Sequence, residues 1–373
     1  MNRRLLTNFA APALAAVAAI VVSSVAVLVA GESPATAFKA MWSQIDSTES
    51  IVLIVNRAVP YYVAGVAVAI GFKMNLFNIG ANGQYVLAAL LAAAAGAAVD
   101  LPAPIHVAMI MGIAVVVGAT WAAIPALLKA YRGVNEVIST IMLNYVATNL
   151  IAYLLAEHFR NPDQPNIRET RVLPESARLP SLNSLFEAIG FDFGPGVVLH
   201  GFLPVAIVLG IGYHVLLNRS RFGFNLRVSG ENPTAARAAG ISPRRMIIVT
   251  LIMSGAIAGL IGIGPLIADP QFYKYGDQFP VSYGFIGLSL ALLGRNHPVG
   301  MAAAALVWAT IERATQALSF VDIPQEIGII LQGSFLLSAI IAYEIVRRLS
   351  ADAETRAASR ETPGTRTIAE APA

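Results

Sequence analysis

Long apolar runs alternate along the chain with short stretches rich in charge, proline or glycine. Several runs are about 20 residues long, the length that a helix needs to cross roughly 30 Å of hydrocarbon. Charged and helix-breaking residues bound ten predicted transmembrane helices, at residues 9–31, 52–72, 78–99, 103–128, 136–157, 198–217, 245–267, 281–294, 297–318 and 326–346. The segment 281–294 is short for a span, so we expect it to be tilted, broken or extended into its loop. The pattern predicts an all-α polytopic membrane protein.

The distribution of Lys and Arg fixes an orientation for these helices. Most of them lie in loops on one side of the predicted membrane, which the positive-inside rule places in the cytoplasm. Ten helices with the N-terminus and the C-terminus both cytoplasmic satisfy this rule. The arrangement makes 1–349 a single transmembrane domain with a long external loop at about 158–197. The polar tail 350–373 has few bulky apolar residues and is predicted to be disordered.

The N-terminus has two interpretations. The sequence "MNRR" followed by an apolar run resembles a signal peptide. The run is longer than the usual apolar region of such a peptide, so a retained first span is favoured.

The composition of the chain argues against several classes of function. The chain is 56% hydrophobic and only 13% charged, whereas a soluble domain has about a quarter charged residues. It has no cysteine, and its five histidines are scattered without a metal-binding spacing, so no metal, cofactor or catalytic residue is predicted. The net charge of +3 reflects arginines at membrane edges rather than a nucleic-acid surface. The chain lacks the GxxxxGK[ST] motif and therefore has no P-loop ATP site of its own.

One polar stretch between two spans, "RVSGENPTAARAAGISPRR" at 227–245, predicts a very short cytoplasmic helix. Asn232 suits the cap, Pro233 the first helical position and Gly240 the position just beyond the end. Two helical turns are marginally stable unless another surface packs on them. The segment also lacks the large apolar residues of a helix that lies on lipid. We therefore expect this helix to bind a partner.

Polar residues inside the predicted spans leave alternatives open. Arg57 either reaches outward to the interface or lines an aqueous path, and Glu312 either bonds locally to Gln316 or meets substrate. Asn144 and Asn149 are typical of hydrogen bonds between helices. No pair of carboxylates lies in a span, so neither an intramembrane hydrolase nor coupling to an ion gradient is favoured.

Three segments resemble the permease subunits of ABC importers: "GFKMNLFNIGANGQYVLAALLA" (71–92), "GVNEVISTIMLNYVA" (133–147) and "SGENPTAARAAGIS…IIVTLIMSGAIAGLIG" (229–262). The resemblance runs in order from about residue 50 to 345. It is greatest for the branch that transports ribose-type simple sugars and nucleosides, which is related to the branched-chain amino acid permeases.

The resemblance implies a role for the short helix, because in such importers a cytoplasmic helix fits a groove on the ATPase subunit. Here that coupling helix would span about 231–240. Ala235, Ala236 and Ala239 would form its smooth contact face, with polar contacts at the rim. The residues implied in coupling are Glu231, Asn232, Pro233, Ala235, Ala236, Arg237, Ala239 and Gly240.

The same resemblance implies the rest of the assembly. An ATPase subunit, a second permease (homologous or identical) and an extracytoplasmic binding protein would complete an importer in the bacterial inner membrane. The cargo would be a nucleoside or, as the second choice, a simple sugar or other small polar solute, moved by alternating access. The alternative is a self-contained secondary transporter or channel. Candidate residues of the substrate path are Asn78, Asn82, Gln84, Asn144 and Asn149.

Overall fold

The computed structural model describes residues 17–191, 193–194, 196–321, 323–324, 326–338 and 341, and its regular elements in this part of the chain are helices. In chain order they are α1 Val17–Val29, α2 Pro34–Ser43, α3 Thr48–Phe72, α4 Ala81–Ala98, α5 Ala103–Arg132, α6 Glu136–Glu157, α7 Asn183–Glu187, α8 Leu203–Arg219, α9 Arg221–Glu231, α10 Pro233–Ala238, α11 Pro243–Gly259, α12 Ile263–Ala268, α13 Tyr283–Leu293, α14 Pro298–Thr315 and α15 Glu326–Ser338. Short 3₁₀ turns lie at Glu175–Ala177, Pro270–Phe272 and Gln316–Val321. The predictions for the tail 350–373 and for a cleaved or retained N-terminus concern segments outside the described residues.

The predicted all-α membrane fold is confirmed at the level of its helices. Each of the ten predicted segments contains helix, with 245–267 divided between α11 and α12, although the first and last extend into residues outside the described part. Within the described residues, five helices or continuous helical stretches are long and apolar enough to cross a membrane, and up to seven if two bent helix pairs are each one span. The segment 281–294 forms the 11-residue α13, which confirms that it is a short element.

The described residues form two compact units, of which Trp42–Ala314 is one. The core of this unit is built around α3 and α4, whose side chains are mostly buried, as expected for central helices of a bundle. Small residues allow α5 and α11 to approach closely. A Cβ at Gly118 would overlap the Gly255 carbonyl oxygen, and one at Gly259 would overlap that of Ala114. The glycines of the GxxxG pair therefore serve helix packing.

The second unit comprises the described residues of Met1–Met41 and Thr315–Ala373. Its core joins Val27 and Ala37 to Leu318, Ile323 and Leu331, all of which are buried. The chain's first helices thus pack with its last ones inside this unit.

The predicted external loop is ordered by contacts with the segment that precedes α13. The Thr170 N–H donates to the Tyr275 carbonyl at 2.8 Å, and Leu173 bonds Tyr273 in the same way at 2.7 Å. Glu169 forms an ion pair with Lys274 at 2.7 Å. The loop therefore holds the polypeptide that leads into α13.

Candidate coupling helix and membrane polar clusters

The helix α10 has the ends that the sequence predicts. The Asn232 Oδ1 accepts hydrogen bonds from the Thr234 and Ala235 N–H groups, both at 3.0 Å, and Pro233 occupies the first turn. At the other end, Gly240 takes the left-handed conformation (φ 76°). The Ile241 N–H bonds the Ala236 carbonyl at 2.9 Å and the Gly240 N–H bonds Arg237 at 3.0 Å. This pair of bonds is the Schellman motif, which ends the helix after two turns.

Nearly the whole of the segment 231–240 is exposed. One of the three alanines predicted to form its contact face is not. Ala235 and Ala239 are exposed, as are Glu231 and Arg237. Ala236, in contrast, is 0% exposed and is the one buried residue of α10. Because α10 packs on α9 and α11, Ala236 anchors the helix to the protein. The expectation that Ala236 lies on the contact face is therefore corrected.

The helix α9, which sequence reasoning treated as loop, joins α10 to the bundle. It bends from α8 by 68°, and the Ser220 Oγ caps its start by accepting from the Gly223 N–H at 3.1 Å. Its last turn lies on the end of α3, where a Cβ at Gly230 would meet the Met74 Cα at 2.7 Å. The Asn75 amide donates to the Gly230 carbonyl at 3.0 Å. The capping serine was the signal for α9 that the sequence offered.

The turn at the end of α3 brings α9 close to a charged side chain. Burial lowers the pKa of Lys73, and the positive charge of Arg227 lowers this pKa further. The two cations therefore lie at the same edge of the bundle, between α3 and α9.

Two of the predicted path residues form a closed hydrogen-bonded group with Ser254, which we call the amide cluster (Asn78, Gln84 and Ser254). The Asn78 Nδ2 donates to the Gln84 Oε1 at 2.9 Å and to the Ser254 Oγ at 2.8 Å. The Gln84 Nε2 donates back to the Asn78 Oδ1 at 3.0 Å, and the Ser254 hydroxyl donates to the Ala67 carbonyl at 2.6 Å. These side chains are buried and join α3, α4 and α11.

The other three predicted path residues lie in different surroundings. Asn144 is buried and joins α6 to the start of α4, because its Oδ1 accepts from the Gly83 N–H at 2.9 Å and its Nδ2 donates to the Ile79 carbonyl at 3.0 Å. Asn149 is exposed and bonds the Tyr145 carbonyl of its own helix at 2.8 Å. Asn82 is half-buried, and its Oδ1 is buried without a hydrogen-bond partner among the described residues.

A second polar group lies inside the bundle and consists of Arg57, Tyr61 and Glu312, which we call the charged cluster. The Arg57 guanidinium forms an ion pair with the Glu312 Oε1 at 2.5 Å. The Tyr61 hydroxyl donates to the Glu312 Oε2 at 2.7 Å. The sequence pattern alone does not predict that Arg57 and Glu312 pair. The available signal was Arg57 in the outer part of one predicted span and the adjacent Glu312 and Arg313 in the outer part of another.

Aromatic rings surround the buried side of the charged cluster. The Tyr61 ring meets Tyr283 edge to face, with centroids 5.0 Å apart, and lies 6.4 Å from the ring of Trp308. Tyr283 begins α13, and its N–H donates to the Tyr85 hydroxyl at 3.2 Å, while that hydroxyl donates to the Pro280 carbonyl at 2.9 Å. A buried tyrosine of α4 thus fixes the start of the short helix beside the cluster.

The sequence matches a family model over most of its length. The model is described as "Branched-chain amino acid transport system / permease component", and it matches residues 50–340. The matched region runs from the third residue of α3 to the end of α15, and it includes the segment 231–240 and both polar clusters.

Several proteins similar to the chain are named as ABC transporter permeases. The glucose ABC transporter permease protein TsgB13 of Haloferax volcanii is 34% identical over 313 residues, which cover 81% of this chain and 79% of that protein. The guanosine ABC transporter permease protein NupP of Bacillus subtilis is 33% identical over 301 residues, covering 80% and 83%. A second guanosine permease of the same organism, NupQ, is 24% identical over 193 residues, covering 52% and 58%.

Proposed function

This chain belongs to the family of branched-chain amino acid transport permease components and is a permease subunit of an ABC importer, and from that premise we propose that it transports a nucleoside. Membership in this family favours an ABC permease over the alternative of a self-contained secondary transporter or channel. A guanosine permease and a glucose permease are about equally similar to the chain, so a simple sugar is the second candidate cargo. The nucleoside is preferred because "NEVISTIMLNY" resembles the nucleoside group most closely.

We propose that segment 231–240 engages an ATPase subunit, and the exposure of α10 is the observation that carries this proposal. The helix is capped at both ends and exposes Ala235 and Ala239, whose small side chains permit close contact with a groove. Glu231 and Arg237 supply charges at its rim. An exposed two-turn helix without large apolar side chains suits a protein partner better than a lipid surface.

The contact between α9 and α3 provides a route for the resulting motion. Gly230 lies against Met74, so displacement of α10 and α9 would push directly on the turn that ends α3. That turn leads to Asn78 and to the amide cluster, which joins three helices. In this mechanism ATP-driven closure of the ATPase moves the coupling helix, and the bundle changes between outward-open and inward-open states. Among the predicted path residues, Asn82 is our candidate for contact with cargo.

We further propose ten spans with both termini in the cytoplasm of a bacterial cell and the domain embedded in its inner membrane. The arginines around α9 and α10, such as Arg219, Arg221 and Arg244, favour a cytoplasmic position for this end of the bundle. The segments 158–197 and 269–282 then lie on the outer side, where a binding protein would deliver cargo.

The second permease subunit is proposed to be homologous to this chain rather than identical to it. Bacillus subtilis has two proteins named as guanosine permeases, and the chain matches one of them over a much larger share of its length than the other. A chain of the NupP kind paired with one of the NupQ kind would explain both matches.

The proposal is tested in liposomes that contain the chain with its ATPase, second permease and binding protein. Guanosine, ribose and glucose are each supplied on the binding-protein side, and ATP hydrolysis and uptake of labelled cargo are measured together. We expect guanosine to stimulate both. Stimulation by glucose alone would make the sugar the cargo, and uptake that follows an ion gradient without ATP would contradict the proposal.

A further inference from the structure

The charged cluster has an exposed side, although its residues lie inside two predicted spans. The side chain of Arg57 is 41% exposed and that of Glu312 is 25% exposed. Among the described residues, the bond to Glu312 is the one hydrogen bond of the Arg57 guanidinium, which has five N–H donors. Most donors of this arginine are therefore free to meet another group.

The depth of the cluster makes this exposure informative. Arg57 is the tenth residue of α3 and lies about 22 Å from Phe72 along the helix, since an α-helix rises about 1.5 Å per residue. In a span that crosses about 30 Å of hydrocarbon, this position lies within the hydrocarbon, about 8 Å from its outer edge. An ion pair facing lipid there is costly, and charged residues within spans usually face a water-filled cavity or protein.

Other unsatisfied polarity lies near the cluster. A Cβ at Gly284 would lie 2.5 Å from the Asn82 backbone nitrogen, so Asn82 adjoins the start of α13, where Tyr283 meets Tyr61. The Asn82 Oδ1 is an acceptor without a partner in the described part of the chain. Asn82 thus lies beside Gly284, the residue after Tyr283, whose ring contacts Tyr61 of the charged cluster. The Tyr283 N–H at the start of α13 already donates to the Tyr85 hydroxyl. The polar contacts available to a ligand here are therefore those of side chains rather than of this backbone group.

We propose that Arg57 and Glu312 contact the transported solute on a water-filled route through the membrane, and that Tyr61 holds Glu312 in position for this contact. The proposal rests on the transport function proposed above. The guanidinium donates to hydroxyl or carbonyl oxygens of the solute, and the carboxylate accepts from its hydroxyl or amino groups. Because the ion pair is neutral as a whole, the site suits an uncharged, hydroxyl-rich solute with an aromatic ring, which describes a nucleoside.

The first test separates solute contact from structural support in the complete reconstituted importer. Glu312→Gln and Tyr61→Phe are compared with Glu136→Gln, which removes a carboxylate that pairs with Lys129 at 2.7 Å elsewhere in the bundle. We expect Glu312→Gln to raise the half-saturating concentration of cargo at least about tenfold, since hydrogen bonds to charged groups are among the stronger ones. Tyr61→Phe should raise it less. Glu136→Gln should affect thermal stability and leave the half-saturating concentration unchanged.

The second test measures water access by cysteine labelling, which the absence of native cysteine in this chain makes specific. Arg57→Cys is treated with a positively charged, membrane-impermeant thiosulfonate, and Val116→Cys on the exposed apolar face of α5 is the control. We expect Arg57→Cys to react, to be protected by cargo and to regain part of its transport when the positive charge is restored. Val116→Cys should not react.

The outcomes distinguish this proposal from the transport function on which it rests. If wild-type protein transports none of the solutes, the proposed function fails. If wild-type protein transports but Arg57→Cys is unreactive and Glu312→Gln has an unchanged half-saturating concentration, the solute-contact proposal is overturned. A Glu312→Gln variant that loses only stability, as is expected of Glu136→Gln, would also overturn it and make the pair a contact between helices or subunits.

Discussion

Two polar clusters lie along α3, and they differ in whether their side chains keep hydrogen-bond donors without a partner among the described residues. In the amide cluster, Asn78 and Gln84 bond each other reciprocally, and Ser254 links them to the α3 backbone. In the charged cluster, Arg57 is paired but remains 41% exposed, with donors to spare. Both clusters contain side chains that are costly inside a membrane.

The difference distinguishes two roles of polar side chains in this fold. Side chains that satisfy one another in the interior fix the relative positions of helices, and removing one leaves its partner unpaired. Side chains with unused donors on an exposed face instead have capacity for a mobile partner. We therefore expect variants of the amide cluster to lose stability and variants of the charged cluster to lose transport.

The largest expected effect on stability is that of Gln84→Leu in the amide cluster. Leucine would leave the Asn78 carboxamide without its reciprocal partner, so the variant should lose about 2 to 3 kcal/mol of unfolding free energy. Denaturant unfolding of the purified protein measures this change. Asn149→Leu is the control, because the Asn149 side chain is exposed and bonds its own helix. Equal stability of the two variants would contradict the structural role of the amide cluster.

Gly230→Ala should have the next largest effect, by disturbing the contact that joins α9 to α3. The added Cβ would lie 2.7 Å from the Met74 Cα, and overpacking of this kind costs about 1 to 2 kcal/mol. We expect fewer cargo molecules transported per ATP hydrolysed, which parallel uptake and ATPase assays measure. Gly212→Ala is the matched control, because a Cβ there meets nothing within 4 Å. An unchanged ratio in Gly230→Ala would show that motion does not pass through this contact.

Asn232→Ala should weaken the start of α10. Loss of its two capping bonds is expected to cost about 1 kcal/mol of local helix stability. Hydrogen exchange at residues 235–239 should become faster, while exchange in α11 stays the same. Thr234→Ala, which changes an exposed side chain in the same turn, should leave exchange nearly unchanged. Equal exchange in both variants would mean that tertiary contacts alone maintain α10.

The smallest expected effect on stability belongs to Glu312→Gln. A partly exposed ion pair contributes little, and the carboxamide can still accept from Tyr61, so unfolding free energy should fall by less than about 1 kcal/mol. The same unfolding assay used for Gln84→Leu measures it. A loss as large as that of Gln84→Leu would remove the distinction between the two clusters.

Sequence reasoning predicted elements that depend on local signals. Apolar runs indicated the helices, and Asn232, Pro233 and Gly240 marked both ends of α10 because capping is decided within a few residues. The packing side of α10 could not be predicted in the same way. Whether Ala236 or its neighbours face the protein depends on the position of α9 and α11, which no local pattern encodes.

The polar clusters required contacts that are distant in sequence. Arg57 and Glu312 are 255 residues apart, and Asn78 and Ser254 are 176 apart. A single sequence shows that each residue is polar and lies near a span, but it does not show which helices are neighbours. The identification of polar residues was therefore correct, while their partners became known only from the fold.

The central claim, that α10 contacts the ATPase subunit, is tested most directly by crosslinking from an exposed residue of this helix. Ala239→Cys would carry a thiol-linked photo-crosslinker in the assembled importer, and the absence of native cysteine confines attachment within this chain to the introduced residue. Val116→Cys on the apolar face of α5 would carry the same group as a control. We predict an adduct between Ala239→Cys and the ATPase subunit and none from Val116→Cys. An assembled, ATP-hydrolysing complex in which neither Ala239→Cys nor Ala235→Cys reaches the ATPase would contradict the account.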